Sequence, residues 1–254
     1  MADADCPPLD VRITKSLLGY GVIAGPIYLI VAAAQMVTRD GYDPTRHAVS
    51  QLVNGPCGWV QVANFVVVGA MTIAGAVGIG RALPPSRPAT WSAALLAGYG
   101  IGLVAAGIFR ADPSDGFPPG TPPGVGTPSW HGVAHFLVAG VGFACFAAAG
   151  LTVGAVFARS GANGWAWFSR VVSVAFAAGF GALATGTLGA PAVLGFTAAV
   201  VLAWAWLTAL SAKLYKEVGM AQSSVSSTPR ASSTSASVVA HEHTNRTTGS
   251  PRSG

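Results

Sequence analysis

The stretch that decides the fold is residues 107–135, GIFRADPSDGFPPGTPPGVGTPSWHGVAH. It gathers charged residues, prolines and two histidines between two long uncharged runs, residues 91–109 and 132–157. An apolar run of about 20 residues is long enough to cross a bilayer as a helix. We therefore predict two membrane spans joined by a polar loop.

The composition of the whole chain is that of a membrane protein. Of its 254 residues, 52% are hydrophobic and only 9% are charged, and the mean hydropathy is +0.54. A soluble domain carries about 25% charged residues. The net charge of +5 would suggest nucleic acid as the partner of a soluble protein, but here the basic residues lie singly at the ends of apolar runs. We predict a lipid bilayer as the partner and no nucleic acid.

Four further uncharged runs complete a set of six. They cover residues 16–38, residues 60–80, residues 171–188, and a last run that ends near residue 212. The chain is therefore predicted to be all-α, with a six-helix transmembrane bundle over residues 16–215 and an N-terminal tail at residues 1–15. Residues 216–254 are rich in Ser and Thr and poor in large apolar groups, so we expect a disordered tail. A signal peptide is the competing interpretation of the first run, but its acidic start and its length favour a span.

The positions of Lys and Arg predict the orientation of the bundle. The end that carries both chain termini has the larger set, which is Arg12, Lys15, Arg81, Arg87, Arg159, Lys213 and Lys216. The opposite end has Arg39, Arg46 and Arg110, accompanied by aspartates. The positive-inside rule predicts cytoplasmic termini for a protein of the plasma membrane. The two longest polar loops, after the first and third spans, then face outward.

Glycines recur at four-residue spacing within the runs. The pairs are Gly21 with Gly25, Gly98 with Gly102, and Gly150 with Gly154. This spacing lets two helix backbones approach closely. We interpret the pairs as contacts within the bundle, and contacts between two copies of the chain are the alternative.

Two histidines at the start of the fourth span suggest a metal site. His131 and His135 are four residues apart, so on a helix both imidazoles project from one face. Asp112 is the nearest third ligand, with His47 or Asp43 as others. A divalent metal on His131, His135 and Asp112 would keep an open position for water and make hydroxide available for hydrolysis. In the structural alternative, His131 caps the helix and His135 donates a hydrogen bond to a neighbouring span.

A second polar group lies in the first outer loop, where Asp43, Arg46 and Ser50 are close in sequence. We predict that Arg46 pairs with Asp112 across the two outer loops and so closes a lid over the bundle. Alternatively, a free Arg46 would bind a phosphate or carboxylate of an anionic lipid or solute, because a guanidinium recognises such groups with two hydrogen bonds.

Several segments carry a family resemblance, namely GYDPTRHAVSQLVNGPCGWVQVANFVVVGA at 41–70, GIGRAL at 78–83, GIFRADPSDGFPPGTP at 107–122 and SWHGVAHFLVAGVGF at 129–143. Over most of residues 17–215 the chain resembles the DUF998 family of bacterial membrane proteins. The resemblance implies six spans and no established activity. The positions that match the family's pattern are Asp43, Ser50, Gly58, Trp59, Gly69, Asp112, Pro113 and His131. His135 is a variable position in that pattern, which weakens a metal site built on both histidines.

Three functions follow from these patterns. The favoured one is binding of a small molecule or lipid at an outward-facing polar site formed by Asp43, Arg46, Ser50, Asp112, His131 and His135. The second is a membrane-embedded, metal-dependent hydrolase. The third, a transporter, is disfavoured because no span has a charged residue near its middle, although Gln35 and Asn64 are uncharged polar groups that would suit a path.

Overall fold

The computed structural model describes residues 7–186 and 189–226, with the backbone alone described for residues 221–226. This part of the chain contains six α-helices, which are α1 (Leu9–Thr38), α2 (Gly58–Ala82), α3 (Arg87–Ile108), α4 (Trp130–Arg159), α5 (Asn163–Thr185) and α6 (Ala190–Ser226). A 3-10 helix, Val49–Val53, lies between α1 and α2. Six helices are long and apolar enough to cross a membrane, and the described residues form no β-strand. The predicted all-α fold with six spans is confirmed.

Several helices extend beyond the uncharged runs that predicted them. Helix α1 begins at Leu9 and α5 at Asn163, seven and eight residues before the predicted starts at residues 16 and 171. Helix α6 continues to Ser226, past residue 216, where we expected the tail to begin. The reason is that backbone hydrogen bonding continues through polar residues once a helix has formed, whereas an apolar run ends at the first charge. The rest of the predicted tail, residues 227–254, lies outside the described residues.

The helices form a closed ring. Each helix packs against the next one along the chain, and α6 packs against α1 to close the circle. Helix α2 also contacts α6. Three of the five connections are short, which favours antiparallel neighbours and this up-and-down order.

Glycine pairs allow the helices of the ring to approach closely. A Cβ atom added at Gly102 of α3 would lie 2.9 Å from the Cα atom of Gly142 in α4. Gly69 of α2 and Gly100 of α3 each face the other's carbonyl oxygen, with 2.7 Å from the added Cβ atom to that oxygen. Of the pairs noted in the sequence, Gly21 and Gly25 face α6, and Gly150 and Gly154 face α5. These glycines therefore make contacts within one chain.

Aromatic side chains fill much of the interior of the ring. Phe146 of α4 lies between Phe176 of α5 and Trp206 of α6, with ring centroids 4.7 and 5.4 Å away. Trp206 is fully buried, and its indole N–H donates a hydrogen bond of 3.0 Å to the Ser169 hydroxyl. A buried indole usually has such an acceptor. These aromatic side chains thus pack α4, α5 and α6 together.

The two long connections at one end of the ring pack together as a loop cap, which we define as residues 39–57 and residues 109–129. Phe117 from the second connection is fully buried beneath Tyr42 and His47 from the first, with both ring centroids 5.4 Å away. The Arg39 guanidinium lies 5.4 Å from the Phe117 ring and donates hydrogen bonds to the carbonyls of Leu52 and Asn54. The sequence predicted that these loops lie at the same end of the bundle, and in the structure they pack against each other.

Candidate functional site

A chamber lies inside the ring, next to the loop cap. Its empty volume is about 770 Å³, including its opening, and its lining comes from all six helices and the 3-10 helix. Most of the lining is apolar, and the largest side chains are Phe65, Phe136, Phe143, Phe180 and Phe196. Ligand pockets usually combine apolar walls with a few polar groups. The lining of the chamber has this composition.

His135 supplies one of the polar groups of the chamber. Its Nδ1 atom lies 2.7 Å from the carbonyl oxygen of Phe109 and 3.2 Å from that of Ala106, near the end of α3. Both partners are acceptors, so Nδ1 carries the proton and donates it. Nε2 has no partner among the described residues and is left as the acceptor of a neutral imidazole. The structure confirms the predicted hydrogen bond from His135 to a neighbouring span.

Three hydroxyl groups accompany this imidazole. Tyr28 of α1 and Tyr99 of α3 line the chamber, and both residues are at least 95% buried. Neither phenol has a hydrogen-bond partner within the described part of the chain. Ser50, in the 3-10 helix, adds an aliphatic hydroxyl. The chamber therefore offers several unpaired polar groups and no charged one among its described lining residues.

A groove on the surface of the loop cap lies beside the chamber. Ser50, His135 and Phe136 line both spaces. Asp112 and Gly132 line the groove and not the chamber. Since Phe136 is half exposed, its side chain lies at the boundary between the enclosed space and the surface. The structure thus brings three of the predicted site residues, Ser50, Asp112 and His135, to one opening.

Asp112 supports the N-terminal cap of α4 at this opening. Its two carboxylate oxygens accept hydrogen bonds from the backbone N–H and the hydroxyl of Ser129, at 2.7 and 2.5 Å. The Ser129 hydroxyl in turn accepts from the Gly132 N–H at 3.1 Å and caps α4. The capping residue is therefore Ser129, and the expected cap by His131 is wrong. A carboxylate near a helix N-terminus also interacts favourably with the helix dipole.

The three residues of the predicted metal site have different surroundings. His131 is exposed, and its ring stacks on Trp130 with 3.5 Å between centroids. Asp112 is bonded to Ser129, and His135 is bonded through Nδ1 to α3. Across residues 7–186 and 189–226, no group of three or more His, Cys, Asp or Glu side chains is arranged to hold a metal ion. The geometry does not assemble the hydrolase site.

Asp43 and Arg46 lie away from the opening. Arg46 pairs with Asp115 at 3.8 Å, so the predicted pair with Asp112 is wrong, although an ion pair does join the two long connections. Both partners are substantially exposed, so the pair contributes little stability. Asp43 accepts hydrogen bonds from the hydroxyl and the N–H of Thr45, at 2.7 and 2.8 Å. Those bonds hold the pKa of Asp43 below its ordinary value, because they favour the ionised carboxylate.

His47 is the polar residue of the loop cap whose role the sequence did not reveal. It is 2% exposed, accepts a hydrogen bond from the Asp43 N–H at Nδ1, and donates from Nε2 to the Asp115 carbonyl. It therefore joins the two connections through both ring nitrogens. The only signal in the sequence was Phe117, a large aromatic residue in a loop rich in Pro and Gly, which had to be buried somewhere.

A buried amide cluster lies between α1 and α2, outside the chamber. Gln35 donates a 2.8 Å hydrogen bond to the Gln61 side-chain oxygen, which also accepts from Asn64 at 3.3 Å. One polar atom of each amide has no partner in the structure. Gln35 and Asn64, which the sequence suggested for a transport path, thus bond within this cluster instead of lining the chamber.

Comparisons with known proteins give one finding. The family model described as "Protein of unknown function (DUF998)" matches residues 22–213, which is about three quarters of the chain. Comparison with curated proteins and with solved structures finds no match. The matched range runs from the middle of α1 to Lys213 in α6, so it contains α2 to α5, most of the rest of the ring, the loop cap and all residues that line the chamber. The chain belongs to the DUF998 family.

Proposed function

We propose that this protein binds a small apolar or amphiphilic molecule, such as a single-chain lipid, in the chamber. The observation that carries the proposal is the combination of apolar walls from six helices with unpaired polar groups beside one opening. A membrane protein that needed only a stable core would fill this space with side chains, because unfilled volume costs packing energy. The polar groups at the opening would hold the ligand's polar end.

The orientation of the chain completes this proposal. We place both termini in the cytoplasm and the loop cap outside, in the plasma membrane, because the basic residues concentrate at the end opposite the loop cap. In this arrangement the chamber lies in the outer half of the bilayer, and its ligand enters from the outer leaflet or from the medium through the groove. In this proposal residues 16–215 form one transmembrane domain, and both tails lie in the cytoplasm.

A chamber-filling variant tests the proposal. Ala139 of α4 lines the chamber, whereas Val141 of the same helix is 66% exposed. Ala139→Trp would occupy the binding space, and Val141→Trp would add the same indole on the lipid-facing side as a matched control. Purified proteins are incubated with oleyl alcohol, and native mass spectrometry measures the bound fraction. We expect binding to the wild type and to Val141→Trp and at least tenfold weaker binding to Ala139→Trp.

A folding check keeps the result interpretable. Each variant is compared with the wild type by size-exclusion chromatography and thermal unfolding. If Ala139→Trp does not fold, Ala106→Leu, a smaller filling change on the α3 wall, takes its place. Equal binding of oleyl alcohol by the wild type and by a folded filling variant would refute the proposal, and so would the absence of binding to the wild type.

A further inference from the structure

The polar groups of the chamber restrict the charge of its ligand. The described residues of the lining include no Asp, Glu, Lys or Arg, and its polar side chains are a serine, two tyrosines and His135. A charged group enters an apolar, membrane-embedded space only with a partner of opposite charge, because it loses its hydration. The ligand's polar group is therefore uncharged.

His135 also restricts the hydrogen bonding of that group. The Phe109 and Ala106 carbonyls require the proton on Nδ1, since the other tautomer would point a lone pair at two oxygen atoms. Nε2 is thus held as an acceptor and cannot donate. The hydroxyls of Tyr28, Tyr99 and Ser50 can donate or accept, so they adapt to either kind of ligand. Among these polar atoms, only Nε2 of His135 distinguishes a hydrogen-bond donor from an acceptor, and it favours a ligand that donates a hydrogen bond.

We infer that the chamber selects an uncharged amphiphile with a long apolar body and a hydroxyl group that donates a hydrogen bond to Nε2 of His135. This inference rests on the proposed function and names the ligand class for the same site. The apolar body lies among the phenylalanines of α4, α5 and α6, and the hydroxyl lies at the end beside the groove, where Ser50 and His135 line both spaces.

A set of ligands with one chain and different polar ends tests the inference. Oleyl alcohol donates a hydrogen bond, methyl oleate only accepts, and oleyl sulfate carries a permanent negative charge. Native mass spectrometry with the wild type compares their affinities under one condition. We expect oleyl alcohol to bind roughly 3- to 10-fold more tightly than methyl oleate, which is the usual range for one hydrogen bond. Oleyl sulfate should bind more weakly still.

A substitution at His135 tests whether the preference for the alcohol over the ester depends on Nε2. His135→Asn keeps an N–H group near the position of Nδ1 for the Phe109 carbonyl and removes the acceptor at Nε2. His131→Asn, at an exposed position one turn earlier, is the matched control. We expect His135→Asn to lose the preference for the alcohol over the ester while its affinity for the ester stays within twofold. The control should keep the wild-type preference.

The outcomes separate this inference from the proposed function. Binding of all three probes with similar affinity, reduced by Ala139→Trp, would overturn the ligand class and leave the binding function intact. Binding of none would overturn both. A preference for the alcohol that persists in folded His135→Asn would overturn the role of Nε2. If that variant does not fold, the ratio of alcohol to ester affinity in the wild type still decides whether a donor is selected.

Discussion

One side chain of the loop cap, Asp112, helps to determine where a helix begins. Its carboxylate accepts hydrogen bonds from Ser129, and Ser129 caps α4. Gly132 completes the arrangement, since a Cβ atom at this position would collide with the Asp112 carboxylate. One residue of the predicted metal site, Asp112, therefore has contacts that explain its position without a metal. His135, which begins its helix's second turn, is the residue left with an unused polar atom.

Asp112→Asn should destabilise the protein by about 1–2 kcal/mol, since it replaces a charged acceptor at a helix N-terminus by a neutral amide. Reversible unfolding in mixed micelles measures the change. Asp43→Asn is the comparison, because the Asp43 carboxylate accepts hydrogen bonds only from Thr45, within its own turn, and the effect there should be smaller. Equal losses at the two positions would contradict a special role for Asp112.

The buried amide cluster leads to a prediction of a small effect on stability. Gln61→Met removes two hydrogen bonds, but Gln35 keeps a bond to the Val31 carbonyl and Asn64 keeps one to the Tyr28 carbonyl. It also removes an unpaired buried N–H₂ group. We expect a change in unfolding free energy below about 1 kcal/mol, because hydrogen bonds between membrane helices contribute roughly 0.6 kcal/mol each. A loss above about 2 kcal/mol in the same assay would show that the amide has another partner.

At the scale of the helices, close glycine contacts set the distances around the ring. Gly102 of α3 and Gly142 of α4 bring the two backbones together, and both glycines also line the chamber. Larger side chains from all six helices complete the lining.

Gly102→Ala should destabilise the bundle by about 1–3 kcal/mol, because the new methyl group would lie 2.9 Å from the Gly142 Cα atom and 3.2 Å from the Val138 carbonyl oxygen. Gly19→Ala in α1 is the control, since nothing lies within 4 Å of its added Cβ atom. This second change should be neutral or slightly stabilising, as expected for alanine in a helix. Thermal unfolding of both variants checks the contrast, and similar melting temperatures would contradict it.

The whole molecule is organised by closure of the ring. Because α6 returns to α1, six helices surround one space, and the two long connections cover the same end of it. An open row of helices would expose that space to lipid along its length. The groove at the loop cap lies beside the chamber and shares three lining residues with it. In the proposed function, the position of the loop cap relative to the bilayer therefore decides from which side the ligand would enter.

Cysteine labelling of the full chain tests the proposed orientation. In a background without the three native cysteines, Val125→Cys marks the exposed tip of the second long connection and Ser160→Cys marks the connection between α4 and α5. An impermeant maleimide should label Val125→Cys in intact cells and Ser160→Cys only after permeabilisation. The reverse pattern would invert the topology and place the chamber opening on the cytoplasmic side.

Much of the fold could be predicted from local features of the chain. Six uncharged runs predict six helices because a segment of that length has to satisfy its backbone within the bilayer. Helix ends were less predictable, as α5 shows by beginning at Asn163 within a polar connection. The partner of Arg46 was also beyond prediction: Asp112 and Asp115 are three residues apart in one loop, and the loop's path decides which one faces the guanidinium.

The sequence by itself determined the class of protein, the number of helices and the two polar connections at one end, because hydropathy and charge act along the chain. The tertiary structure decided what the polar residues do. Tyr28, Tyr99 and His135 lie on three different helices, so only closure of the ring brings them to one chamber. The protonated nitrogen of His135 is likewise determined by carbonyls of α3, more than 25 residues away in the chain. Contacts of this kind depend on packing, which no local pattern encodes.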